Sequence, residues 1–209
     1  MTSKIHFEGT ITSVQPRIRL LRSFDQRSHS YLGYVLRVDG TVGGENRMFW
    51  IAVGNKTHAR HRFHVGQKIS GKCTPVADPH QESAEFYKVS NLKLLGKDEI
   101  MKKNPPPWLG VPQDLQVYRE RGHRRLSSHT YEKHCSRCIW GCRMAVEMVI
   151  DQWNPHIKQY RYETFCYGPK SCSVYEAGPI RKVPGRKGMV WEEEDWVNEE
   201  ETAHRGLDD

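Results

Sequence analysis

The 209-residue chain has no apolar run approaching the ~18 residues that a membrane span requires. Its opening, MTSKIHFEG, lacks the apolar stretch of a secretory signal. Both absences lead to the expectation of a cytoplasmic protein with no membrane contact, in a reducing compartment where structural disulfides are rare. There is no GxxxxGK[ST] phosphate loop, no GxGxxG, no HExxH and no GxSxG. No histidine–carboxylate pair is singled out by its context. No catalytic residue is therefore assigned, and a binding protein is expected over an enzyme. Internal repeats are also missing. Apolar residues make up 37% of the chain, enough for small cores and too many for disorder throughout.

The charge is one-sided over most of the length. The chain carries +7 overall, distributed as +8 over residues 1–97, +7 over 98–190 and −8 over 191–209. A basic body ending in an acidic tail suggests an anionic partner, nucleic acid first.

Residues 4–95 have the alternation of strands. In IHFEGTITSV, Ile5, Phe7 and Ile11 share one face, opposite His6, Glu8 and Thr12. The pattern resumes in RIRLL after Pro16, which predicts a bulge or bend in a long first strand. SFDQRSHS is a polar connection. YLGYVLRVDG and RMFWIAVG are the second and third strands, separated by the turn signals Asp39-Gly40 and Gly43-Gly44. NKTHARHRFHVGQ has room for one short helix, and its histidines, without a carboxylate partner at helical spacing, fit a basic solvated surface. VGQKISGKCTPV and FYKVSNLKLLG are the fourth and fifth strands. Three strands, a helix-sized connection and two more strands is the order of an OB-fold, a five-stranded Greek-key barrel. FHVGQKISGK, residues 63–72, resembles the way many OB-folds enter their fourth strand. Residues 1–97 are thus expected to form an OB-like barrel.

A Pro-rich linker, 98–113, follows, with Pro105, Pro106 and Pro107 favouring an extended conformation. Asp114–Arg125 has the charge of a short helix. Residues 114–180 form a Cys-rich unit that holds five of the six cysteines. Cys135 and Cys138 make a C-x2-C pair, a spacing that aims two thiolates at one ion. Cys166 and Cys172 make a looser pair with Gly168 and Pro169 between them. The gap between the pairs suits a β-hairpin, Met144–Trp153 against Lys158–Cys166, better than a helix. Two cysteine turns at one end of a hairpin resemble a zinc ribbon, across about residues 134–175. That resemblance implies a structural Zn2+ held by Cys135, Cys138, Cys166 and Cys172. Cys142 has no place in a plain ribbon. With Cys135 and Cys138 it makes C-x2-C-x3-C, so an iron–sulfur cluster with Cys142 as a ligand is the alternative cofactor. His129 and His134 are neighbours of this set, and Cys73 is expected in the barrel core.

OB-folds bind single strands across their second and third strands, where aromatics stack on bases and arginines meet phosphates. The candidate nucleic-acid residues are Arg17, Arg19, Tyr31, Arg37, Arg47, Trp50, Lys56, Arg60 and Arg62. Alternation places Tyr31 and Arg37 outward and Tyr34 inward, and lets only one of Phe49 and Trp50 face solvent. Residues 181–209 are a basic loop followed by an acidic tail, either flexible or docked on a basic surface through Trp191 and Trp196. That tail is also a candidate contact for a protein partner, which leaves a metal-stabilised interaction or assembly factor as a further alternative. The expected class is mainly β: an OB-like barrel, a zinc-ribbon-like hairpin and an acidic tail, serving to bind single-stranded DNA or RNA.

Overall fold

The computed structural model describes residues 4–23, 26–96 and 106–208. The linker expected over 98–113 begins outside the described residues. The chain is mainly β. It runs β1 (Ile5–Arg22), β2 (Arg27–Val42), β3 (Glu45–Val53), α1 (Asn55–His61), β4 (Lys68–Pro75), β5 (Phe86–Leu95), α2 (Leu115–Arg121) and β6 (Arg124–Arg125). It continues with α3 (Ser128–Lys133), β7 (Gly141–Val149), β8 (Lys158–Cys166), β9 (Lys182–Pro184), β10 (Val190–Glu192) and α4 (Asp195–Thr202). No helix among the described residues is long and apolar enough to cross a membrane.

The first five strands close a ring in the order β1-β2-β3-β5-β4, with β4 returning to β1. All neighbours are antiparallel except β3 and β5. The alternation of IHFEGTI is realised: Phe7 and Ile11 are fully buried while His6 and Glu8 face out. Tyr34, Leu36 and Val38 of β2, Phe49 and Ile51 of β3, and Ile69 and Cys73 of β4 fill the same interior. Phe49 is thus the inward member of its pair and Trp50 the outward one.

β1 is unusual in having two successive neighbours along its second edge. Ile5–Thr10 pairs with β4, and Arg19–Arg22 pairs in parallel with Ala145–Met148 of β7. The β7–β8 hairpin, followed by β6, therefore extends the same sheet. Cys142, Met144, Val146, Met148, Phe165 and Tyr167 join the apolar cluster of the ring. Pro16 lies in the stretch of β1 between these two pairings, so its missing N–H forfeits no ladder bond there. The irregularities lie on either side of it, between Ile11 and Ser13 and between Arg17 and Ile18.

The second irregularity has a consequence for β2. Arg17 faces Gly33 and Ile18 faces Tyr31, so Leu32 is the extra residue of a bulge. Gly33 sits at φ +133°, and a Cβ there would lie 2.2 Å from the Val53 carbonyl oxygen. Past the bulge the parity changes. Tyr31, expected outward by simple alternation, is half-buried against the central cluster beneath the Arg119 guanidinium.

The acidic C-terminal segment is packed on the body, and acids rather than tryptophans anchor it. Glu193 is 1% exposed, with its carboxylate accepting from Arg22 at 3.0 Å and Arg27 at 2.7 Å. Arg22, also 1% exposed, reaches the buried Glu163 of β8 as well, which is further paired with Arg161 and Arg181. Glu201 pairs with Arg27, Asp195 with Arg125, and Arg205 donates to the Gly168 carbonyl. Trp191 lies in the small β9–β10 hairpin, which pairs part of the stretch expected to be loop with the start of the tail, and Trp196 is 56% exposed.

Candidate metal centre and aromatic groove

The two cysteine turns meet at one end of the β7–β8 hairpin. Cys135 opens a 3-10 turn that hands the chain to Cys138 and then, at Gly141, to β7. Cys166 is the last residue of β8 and pairs with Gly141. Each turn aims a backbone N–H at a sulfur two residues back: Trp140 N–H donates to Cys138 Sγ and Gly168 N–H to Cys166 Sγ, both at 3.4 Å. Such bonds favour a thiolate, the form that ligates metal.

The four thiols Cys135, Cys138, Cys166 and Cys172 are close enough to act on one another electrostatically. Burial pushes the Cys135 thiol up to about 12, and the other three add to the effect. Cys138 is pushed to about 11, again chiefly by burial, and Cys166 is raised for the same reason. Arg124 braces the second turn, donating to the Pro169 carbonyl at 2.7 Å and lying 3.9 Å from the Tyr175 ring. Its charge acts on Cys166 in favour of the thiolate. As placed, no group of three or more His, Cys, Asp or Glu among the described residues is arranged to hold a metal ion. The donor chemistry does fit one: two paired turns, N–H groups aimed at sulfur, and a guanidinium beside a set of thiols.

Cys142 stands apart. It points into the central cluster from β7, fully buried, and its thiol donates to the Pro16 carbonyl at 3.4 Å. No other cysteine is among the groups that perturb it, and burial raises its thiol strongly. His129 and His134 are exposed beside the turns, along a shallow depression with Lys133 and Ser173. Sequence reasoning passed over Gln15. From β1 its side-chain amide donates to both the Cys135 and Cys138 carbonyls, at 2.8 and 2.9 Å, and accepts from the Tyr131 hydroxyl. Ser13 donates to the Ser136 carbonyl. The first cysteine turn thus occupies the stretch of β1 that no strand covers.

A groove of about 570 Å³ opens beside this contact, between the ring and the outer face of the hairpin. Its walls include Trp50, Glu82, Glu85, Arg143 and Tyr162. Trp50 packs with Val35, Ala52, Ala84 and Tyr87 on the outside of the ring, with Arg37 5.6 Å from its ring centre. Arg143 lies 4.0 Å from the Tyr162 ring, and the Tyr162 hydroxyl donates to the Pro79 and Glu82 carbonyls, tethering the β4–β5 connection. Both acids are matched. Glu82 takes a two-pronged pair from Arg17 and another contact from Arg19, and Glu85 pairs with Arg47. With Glu82 and Glu85 neutralised, the groove keeps Arg37 and Arg143 as its cations.

Of the nine candidate nucleic-acid residues, five converge here: Trp50 and Arg37 at the groove, and Arg17, Arg19 and Arg47 through the acids they hold. Tyr31 lies elsewhere, under Arg119. Lys56, Arg60 and Arg62 are exposed on and just after α1 and form no ion pair among the described residues. Arg143 and Tyr162 were not legible as partners of Trp50, because they come from the hairpin. The chain matches no protein-family model, no curated protein and no solved structure at a significant level.

Proposed function

We propose that this protein binds single-stranded nucleic acid, with the ring of five strands acting as an OB-like barrel and the cysteine turns holding a structural zinc ion. The observation that carries the reading is the groove, where an outward tryptophan and a tyrosine each lie under an arginine while the neighbouring acids are neutralised internally. Base–aromatic stacking contributes about 1–3 kcal/mol per base, and the two arginines supply phosphate contacts. The strand order of the ring supports the barrel assignment.

Cys135, Cys138, Cys166 and Cys172 are the set that would hold the zinc. Four thiolates leave no open position for a water, so the metal stabilises and does not catalyse. It would lock the first turn against Gln15 and so fix the hairpin on β1. Cys142, committed to the core, is left out of this set, which favours zinc over a cluster that uses it.

The decisive experiment is fluorescence anisotropy with labelled oligothymidylate and oligouridylate at two salt concentrations, alongside metal analysis of the purified protein. Affinity that falls steeply with salt supports the binding reading. No binding at low salt overturns it. About one zinc per chain, lost together with Tm on chelation, supports the metal assignment. Iron with a visible absorbance would replace it by a cluster.

A further inference from the structure

The outer wall next to β3 carries a second feature. β4, β5 and the part of β1 paired with β4 present Lys68, Lys72, Lys88 and Lys93, with Lys4 just ahead of β1. Glu8 is the single carboxylate among those strand residues. The register places the lysines together. Lys72 faces Ser90, Ser70 faces Lys93, and Lys4 donates to the Ser90 hydroxyl at 3.0 Å. Lys68, Ser70, Lys72 and Thr74 alternate with the inward Ile69 and Cys73, so they share the outer side of β4, where Lys68 and Lys72 are exposed and Ser70 and Thr74 are covered between them. Lys68, Lys72 and Lys93 form no ion pair among the described residues, whereas Arg17, Arg19 and Arg47 are spent on Glu82 and Glu85.

This wall is continuous with the groove. Pro75 lines the groove, and Thr74 beside it pairs with Tyr87, which packs on the same Val35–Ala52–Ala84 cluster as Trp50 and has Lys88 4.8 Å from its ring. From Tyr87 the outer face leads along β4 past Lys72 and Lys93 to Lys68. At about 3.3 Å per residue the path from Thr74 to Lys68 is about 20 Å long.

Resting on the single-strand reading above, we infer that Lys72, Lys93 and Lys68 form a phosphate track that continues the groove, so that a bound strand leaves Trp50 over Tyr87 and runs down β4 and β5. Seated bases then account for the short-range part of binding and the lysines for its length and salt dependence. For single strands each phosphate contact contributes about 0.7 to the slope of log K against log salt.

The test combines Lys68→Gln, Lys72→Gln and Lys93→Gln in the full chain, all on the exposed face. The probes are labelled oligothymidylates of about 6 and about 18 nucleotides, bracketing the ~4–16 nucleotide site sizes of such folds. Wild type should bind the longer probe more tightly. The triple variant should lose that advantage, and its salt slope should fall by about 2. A wild type that binds both probes equally, or a variant that keeps both slope and length dependence, overturns the track and leaves the groove standing. A wild type that binds neither probe at low salt removes the single-strand reading, and the track with it.

Discussion

Replacing Glu193 by Gln removes one charge from the place where the C-terminal segment enters the body, and its effect can be worked out in advance. The carboxylate is 1% exposed and accepts from two arginines, one of them equally buried. Burial alone would push its carboxyl up, but Arg22 and then Arg27 outweigh that and hold it below the usual range. Gln keeps the shape and leaves Arg22, Arg161 and Arg181 around the single charge of Glu163. Breaking a buried ion pair from one side costs about 3–5 kcal/mol, and the polar amide should place this variant near ~3 kcal/mol. For a chain of this size that corresponds to a Tm lower by about 6–12 °C. Urea unfolding followed by tryptophan fluorescence measures it. A loss under about 0.5 kcal/mol, the range of an ordinary surface change, would refute the claim that Glu193 pins the segment. Combining Glu193→Leu with Arg22→Met should recover part of the loss, because an apolar pair replaces an ion pair far better than either half alone.

Three other outcomes are expected. His29 is lowered to about 4 by burial, then by Arg27 and Arg22; His58 is lowered to about 4, chiefly by burial. Between pH 6.5 and about 4 the unfolded chain takes up these protons and the fold does not, so stability is full above 6.5 and falls as pH falls; a urea midpoint unchanged between pH 7 and pH 5 would contradict this. Gly122→Ala places a Cβ 2.1 Å from the Glu201 carbonyl oxygen at φ +66°, so it should loosen α4 and hasten proteolysis of the C-terminal segment at little cost to the ring. Phe49→Ala should cost about 3–5 kcal/mol of stability, while Trp50→Ala should cost less and instead weaken oligonucleotide binding by about 1–3 kcal/mol; equal effects on both properties would mean that the outward tryptophan is only packing.

What was legible in the sequence was whatever depends on neighbours along the chain. The period-2 alternation of Ile5, Phe7 and Ile11 fixed the inward face of the first strand, and the cysteine spacing located both turns. Tyr31 escaped because a one-residue bulge at Leu32 reverses the parity that alternation assumes, and Gly33, mid-strand, was the local signal for it. Arg22 looks like a surface cation, yet it is buried, because Glu163 and Glu193 arrive from 141 and 171 residues away. Arg17 and Arg19 look like phosphate ligands until Glu82 is folded over them. The groove is likewise a product of tertiary structure, since Trp50 and Tyr162 share no local pattern.

The divided partnership of β1 also constrains the order in which the chain can assemble. Its C-terminal half is completed only when Ala145–Met148 arrives, from more than a hundred residues further along the chain. Pairings of such separation close slowly, because a long loop must be ordered before any bond rewards it. Until then a nascent first segment has an unsatisfied edge from Arg19 to Arg22, a template for pairing with another chain. The cysteine turn that Gln15 grips sits directly ahead of β7 in sequence. The grip of Gln15 on that turn therefore brings the missing strand to its place, and if the proposed zinc ties that turn to Cys166 and Cys172, translation under metal starvation should leave the edge open and yield aggregate.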